Sequence, residues 1–251
     1  MTQNQVDLSG KCALITGAAH RIGAAIARQL HREGMNILLH YRHSKTAAEQ
    51  LQRELETERP HSVWLLQADL QQKESYNYLI DQTEALCQGL DLLVNNASSF
   101  YPTPLGSATE EQWEDLLGSN LKAPFFLSQA AAPLLYRRQG CIINLVDIHA
   151  ERPLKEHPIY SVAKAGNAML VQSLARELGP EVRVNGVAPG AILWPEQGLT
   201  DGEREEILQR TALKRAGTPE DIARTLLFLY RDAPYVTGQI IAVDGGRTVQ
   251  Q

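Results

Sequence analysis

The chain has 251 residues, 43% of them apolar and 21% charged, with a formal net charge of −5. That length suits one or two domains, and the composition excludes a disordered or low-complexity chain. The acidic balance argues against a nucleic-acid binder, whose footprint is basic. No apolar run approaches a membrane span, and the polar start from Met1 to Lys11, with Asp7, does not read as a signal peptide. Cys12, Cys87 and Cys141 are an odd number without CxxC spacing, which argues against a disulfide framework and leaves no metal motif. These features suggest a soluble cytoplasmic α/β protein.

In chain order, Lys11 to Thr16 is expected as a first strand, followed by a Gly-containing turn. Ile22, Ile26 and Leu30 recur at helical spacing and predict a helix from Ile22 to Glu33, capped by Gly34. Asn36 to His40 reads as a strand, Thr46 to Glu58 as a charged helix stopped before Pro60, and Ser62 to Gln67 as the third strand. Gln72 to Gln88 is a predicted helix and Asp91 to Val94 a fourth strand. A long helical region follows from Thr109 to Arg137, with an interruption expected near Pro124. Cys141 to Val146 and Val182 to Val187 are strands flanking a helix from His157 to Leu178. Glu203 to Gln209 and Pro219 to Leu229 are helical, and Gln239 to Val243 is the last strand. The strands are short apolar runs, as in a parallel sheet covered on both faces. The expected fold is a single α/β domain over 1–251: a Rossmann-like, doubly wound parallel sheet flanked by helices. Cys12 and Cys141 fall on strands and read as inert buried thiols.

In such sheets ligands bind beyond the carboxyl ends of the strands. After strand one comes Thr16-Gly17-Ala18-Ala19-His20-Arg21-Ile22-Gly23. Gly17 permits a tight turn, Gly23 permits close helix packing, and the helix N-terminus suits a pyrophosphate. Arg21 stands where the usual dinucleotide pattern has its middle glycine. Strand two ends His40-Tyr41-Arg42-His43-Ser44 with no carboxylate to take a ribose 2′-OH. A basic cluster with a hydroxyl suits a 2′-phosphate, and so favours NADPH. Tyr160 and Lys164 lie four apart on one helix face, where an ammonium is expected to lower the phenol's pKa.

Four motifs in order carry a resemblance across essentially the whole chain: the loop after strand one, Asn95-Asn96-Ala97, Tyr160-Ser161-Val162-Ala163-Lys164, and Pro189-Gly190. Together they resemble the short-chain dehydrogenase/reductase family. The resemblance implies a catalytic set of Asn120, Tyr160 and Lys164 with a serine. At the serine position, thirteen residues before the tyrosine, stands Asp147. Four local features narrow the likeness to the family's pteridine reductases. They are Asp147, Arg21, the basic turn from His40 to Ser44, and the loop Asn95 to Leu105. In the basic turn the arginine and second histidine are swapped in order.

What the resemblance implies is an NADPH-dependent reductase of pterins, with Asp147 partnering Tyr160 and Asn120 holding a water in a proton relay. Coenzyme contacts are expected from Gly17, His20, Arg21, Ile22, Gly23, the turn His40 to Ser44, Asn96, Ala97, Ser98, Tyr160, Lys164, Pro189 and Gly190. Asp69 and Leu70 resemble an adenine-edge pair, although Asp69 equally suits a helix N-cap. Phe100 is expected to stack the pterin, with Arg21, Ser98, Asp147 and Tyr160 around it. A substrate lid is expected near 191–215, where Trp194 either covers the substrate or packs on the body. A homotetramer and a small-molecule substrate are the implied partners. The rivals are a carbonyl reductase of the 3-oxoacyl type in the same family and a non-catalytic NADP-binding regulator.

Overall fold

A computed structural model describes residues 6–193 and 200–249. Seven parallel strands form one sheet: β1 Cys12–Ile15, β2 Asn36–Tyr41, β3 Val63–Gln67, β4 Leu92–Asn95, β5 Cys141–Leu145, β6 Arg183–Pro189 and β7 Ile240–Val243. Their order is β3-β2-β1-β4-β5-β6-β7. The helices are α1 Arg21–Arg32, α2 Lys45–Glu58, α3 Glu74–Cys87, α4 Glu110–Leu117, α5 Ala123–Arg138, α6 Pro158–Leu178, α7 Asp201–Gln209 and α8 Pro219–Leu227. This is the doubly wound, Rossmann-like single domain expected from the alternation of apolar runs and helical segments.

Alternate strand residues feed two cores, as the period of two requires. Ala13, Ile15, Ile37, Leu39, Leu92 and Val94 pack with α1, α2 and α8 residues on one face. Cys12, Leu14, Leu38, Leu93 and Ile142 pack with α3, α5 and α6 residues on the other. Both faces are therefore dry, which is why the strands read as unbroken apolar runs. Fully burying a leucine such as Leu14 stabilises the fold by about 1.5–3 kcal/mol.

Three local readings are corrected. The long helical region is not interrupted at Pro124. Its irregularity is a π-helical turn over Gly118–Lys122, and Pro124 follows inside the first turn of α5. Asp69 does not cap α3, whose N-cap is Lys73. Its carboxylate instead accepts the Gln71 N–H at 3.0 Å in a turn before the helix. Cys12 is not a free thiol but is disulfide-bonded to Cys87 at the end of α3. The pair is 75 residues apart in sequence, so no local spacing reveals it. Cys141 does remain a buried thiol, and burial pushes its pKa up to about 11. Among the described residues no helix is long and apolar enough to cross a membrane.

Candidate active site

The strand order reverses between β1 and β4, which opens a crevice at their carboxyl ends. A cleft of about 440 Å³ lies there, lined by the loop after β1, the end of β2, Asp69–Gln71, Asn96–Ser99 and Ser119. The loop is held from behind. Thr16 Oγ1 accepts the N–H groups of Asn96 and Ala97 at 2.9 and 3.0 Å. Asn96 Nδ2 donates to the carbonyls of Thr16 and Gly17 at 2.8 and 3.0 Å. Asn96 thus shapes the loop through its side chain.

Both glycines are explained by crowding. Gly17 has φ +60°, and a Cβ there would stand 3.0 Å from Ala97 Cα. A Cβ at Gly23 would lie 2.7 Å from Asn96 Nδ2 and 2.9 Å from Ala18 Cα. The first turn of α1 carries no acidic residue, and the N-cap His20 makes no side-chain cap. Its N–H groups and positive dipole end are thus left to an anion. Arg21 takes φ +52°, a left-handed conformation uncommon outside glycine, at the site of the missing glycine. Its guanidinium donates to the Leu193 carbonyl at 3.4 Å.

The end of β2 differs from the simple basic cluster read in the sequence. His40 is buried, accepts the Gly17 N–H on Nδ1 at 3.1 Å, and donates from Nε2 to the Ala68 carbonyl at 3.1 Å. Burial lowers its pKa to about 4, so the ring is neutral and serves to pin the loop. The exposed charge belongs to Arg42, whose Nε donates to His43 Nε2 at 2.7 Å. Although the chain has no carboxylate at this turn, β3 brings one: Asp69 Oδ1 lies 3.7 Å from Arg42 Nη1. Tyr41 and Leu70 are buried beside the cleft, and Ser44, whose hydroxyl makes no helix cap, lines it.

Asp147 follows β5 and opens a short 3-10 turn, Ile148–Ala150, by accepting the His149 N–H at 2.8 Å. Its other oxygen accepts the Tyr160 hydroxyl at 2.8 Å. Lys164 is buried, donates to the Leu145 carbonyl at 2.9 Å, and lies 5.7 Å from the Tyr160 ring centre. Burial lowers the ammonium's pKa to about 8, against the opposing pull of Asp147. The phenol is not made more acidic, as its pairing with lysine suggested. Burial, then the Asp147 charge and hydrogen bond, hold its pKa well above the ordinary value, while Ser98 acts in the opposite sense. Asn120 lies in the π-turn with its amide engaged: Nδ2 donates to Ser99 and Leu116 carbonyls at 2.9 Å, and Oδ1 accepts the Ser98 hydroxyl at 2.6 Å.

Phe100 is half exposed at the rim. Its ring stacks on His157 at 4.7 Å with an 11° interplanar angle, and meets Tyr160 edge-on at 4.8 Å. Thus Tyr160 has the Asp147 carboxylate at its hydroxyl and the Phe100 ring in edge contact with its own ring. At the end of β6, Pro189 pairs with Val243, and just beyond it the Gly190 N–H donates to the Val243 carbonyl at 3.0 Å. Trp194 lies outside the described residues, and the expected lid is described here only through Leu193 and from Thr200 onward.

Comparison with known proteins agrees with this geometry. A family model described as enoyl-(acyl carrier protein) reductase, of the short-chain alcohol dehydrogenase type, matches residues 17–248. The chain belongs to the short-chain dehydrogenase/reductase family. It is 37% identical to a 3-oxoacyl-[acyl-carrier-protein] reductase of Staphylococcus epidermidis, over 94% of this chain and 98% of the relative. It is 36% identical to pteridine reductase 1 of Leishmania tarentolae, over 93% of this chain and 95% of the relative. A 3beta-hydroxysteroid dehydrogenase of Eggerthella lenta is 34% identical over 97% and 95% respectively.

As a short-chain dehydrogenase/reductase the protein is an oxidoreductase of the nicotinamide-coenzyme class. Sequence reading missed His157, which the fold stacks on Phe100, and Asn144 and Asn167, which are buried beneath the site. A signal for Asn167 was present. Tyr160, Lys164 and Asn167 follow i, i+4, i+7 and so share one face of α6. No periodicity marks His157, because its contact is with a loop 57 positions earlier.

Proposed function

We propose that the protein is an NADPH-dependent reductase of pterins, taking dihydropterin or dihydrofolate-type substrates to their tetrahydro forms. The observation that carries this reading is the Asp147–Tyr160 hydrogen bond of 2.8 Å with the half-exposed Phe100 ring 4.8 Å from Tyr160. A carboxylate at this place is poorly suited to orienting a simple carbonyl, whose oxygen needs a donor. It is well suited to a basic heteroaromatic ring with N–H groups to offer. Phe100 supplies an aromatic face for the flat ring, and Ser98 and Arg21 supply donors around it.

The residues fit a dinucleotide. The uncapped α1 terminus, with Gly17 and Gly23 leaving room, would hold the pyrophosphate, and Arg42, His43 and Ser44 would meet a 2′-phosphate. Bound nicotinamide supplies the hydride. Tyr160 Oη holds the proton given to the substrate, and burial together with Asp147 keeps that proton in place at neutral pH. The half-buried Asp147 carboxylate, 2.8 Å away, then takes a proton from solvent and passes it to the vacated phenolate oxygen. Lys164 holds its charge below about pH 8, where it offsets the phenolate that forms and would bind the ribose. We place this reductase in the cytoplasm, as a homotetramer.

A second reading, a 3-oxoacyl-type carbonyl reductase, is favoured by the 37% identity to the staphylococcal enzyme. A non-catalytic regulator is opposed by the Tyr160–Lys164 arrangement. Steady-state kinetics with a dihydropterin, dihydrofolate and an acetoacetyl thioester, each with NADPH and NADH, decides among them. We expect turnover of the pterin and preference for NADPH. Higher kcat/KM on the thioester replaces the reading with the second one, and no NADPH oxidation on any substrate leaves the regulator. Phe100→Ala should raise KM for the pterin several-fold, since ring stacking is worth about 0.5–1.5 kcal/mol beyond burial, and should leave coenzyme affinity unchanged.

A further inference from the structure

Beneath the site runs a chain of side-chain amides that links five elements. Asn95 Nδ2, at the end of β4, donates to Ser128 Oγ in α5 at 3.2 Å and to Asn144 Oδ1 in β5 at 2.9 Å. Asn144 Nδ2 donates to Asn167 Oδ1 in α6 at 2.8 Å. Asn167 Nδ2 donates to the backbone carbonyl of Asn120 in the π-turn at 2.8 Å. All five residues are buried. Such a chain is directional: Asn144 and Asn167 each accept from one neighbour and donate to the next, and their burial leaves them no water as a substitute.

The last link has a local cause. In a regular α-helix the Asn120 carbonyl would take the N–H of the residue four positions on. That residue is Pro124, which has none. Asn167 supplies a donor from the neighbouring helix. The side chain of the same Asn120 accepts the Ser98 hydroxyl at 2.6 Å and donates to the Ser99 carbonyl at 2.9 Å. Its backbone is therefore clamped from α6 while its side chain holds the loop that carries Ser98 and Phe100.

We propose that Asn167 is a positioning residue for the reductase chemistry: by holding the Asn120 carbonyl it sets the Ser98 hydroxyl relative to the Tyr160–Asp147 pair. Asn167 touches neither Tyr160 nor the cleft, so its effect travels through Asn120 and Ser98. It uses the same face of α6 as Tyr160 and Lys164, so one helix carries the proton-bearing phenol, the ammonium and the clamp. This inference rests on the reading of Tyr160 as the proton donor, but not on the identity of the substrate.

The test is kinetic, with whichever of a dihydropterin and an acetoacetyl thioester the protein reduces. Asn167→Leu keeps the branched shape and removes the amide. Asn167→Asp keeps the acceptor for Asn144 but puts an oxygen against the Asn120 carbonyl. In both, kcat is expected to fall at least about tenfold, since small misplacements at a reacting centre are costly. NADPH affinity should stay within about twofold, because the coenzyme loop is braced separately through Asn96. The diagnostic readout is Ser98→Ala alone and combined with Asn167→Leu. If Asn167 acts through Ser98, the second change adds little to the first. Asn167→Ser, which retains a hydroxyl donor, serves should Asn167→Leu not fold, and its kcat loss should likewise vanish in the Ser98→Ala background. A folded Asn167 variant with the parent's kcat, or losses that multiply independently with Ser98→Ala, overturns the proposal. Tyr160→Phe runs beside them: retained reduction there rejects Tyr160 as the donor, whereas its loss beside normal Asn167 variants rejects only the clamp.

Discussion

Tyr160 and Lys164 sit side by side, and burial acts on them in opposite senses. The phenol is held protonated by burial and by the Asp147 carboxylate 2.8 Å away, and the ammonium is lowered to about 8 by loss of water. Asp147→Asn keeps the shape but removes the charge. If the carboxylate takes part in proton supply, kcat for pterin reduction should fall by about 10²–10⁴, the usual contribution of a positioned acid or base. Coenzyme affinity should hold, because Asp147 is not part of the phosphate loop. Asp147→Ser, which restores the hydroxyl the family resemblance implies, should impair pterin reduction likewise. Kinetics across pH check this, and an unchanged rate and profile in Asp147→Asn would leave the carboxylate a positioning group only. The buried ammonium gives a second prediction, for stability. The unfolded lysine titrates near 10.5 and the folded one near 8, so between these values the unfolded chain binds more protons. The cost of burying the charge, about 3 kcal/mol, is thus fully present below about pH 8 and is relieved as pH rises towards 10.5. Relative to Lys164→Met, the parent should gain stability between pH 7.5 and about 10 in denaturant unfolding of the coenzyme-free protein, even as activity declines. A constant difference across that range would show that the ammonium is not buried.

The loop after β1 works as one element because β1, β2 and β4 all tie into it. Gly17 N–H goes to His40, its carbonyl goes to Asn96, and Gly23 lies against both Asn96 and Ala18. Gly23→Ala would place a methyl 2.7 Å from Asn96 Nδ2 and force the loop outward. Overpacking of this kind costs about 1–3 kcal/mol. We expect a coenzyme Kd raised at least about tenfold, together with a lower Tm. Fluorescence titration and thermal melts measure the two, and unaltered coenzyme binding would mean that the pyrophosphate lies elsewhere. The glycines of this loop were legible because a turn, a helix start and a preceding apolar run adjoin one another in sequence. The π-turn was not. Gly118 to Lys122 has the same apolar spacing as the helices on either side, and Pro124 drew attention to the wrong residue. The irregularity sits four positions before the proline, at the carbonyl the proline cannot satisfy.

For the molecule as a whole, the order β3-β2-β1-β4-β5-β6-β7 gathers the site beyond the carboxyl ends of the central strands. Along α5 and α6, Phe125 and Phe126 are exposed at 40%, Val162 at 53% and Met169 at 62%. Apolar exposure of that kind suits an interface between copies. We expect a mass about four times 27.8 kDa by sedimentation, and a smaller species for Phe125→Glu. A monomeric parent would refute the assembly. The sequence by itself determined the layered fold, the glycine turn after β1 and the grouping of Asp147, Tyr160 and Lys164, because each rests on neighbours in the chain: apolar periodicity, turn residues, helical spacing, a resemblance carried by short motifs. Only the tertiary structure decided that His40 is a neutral pin, that Asp69 faces Arg42, that His157 stacks on Phe100, that Cys12 bonds Cys87, and that Asn167 reaches Asn120. Each of these depends on which strands become neighbours and on how much water is lost from a side chain, and both are properties of residues far apart in sequence.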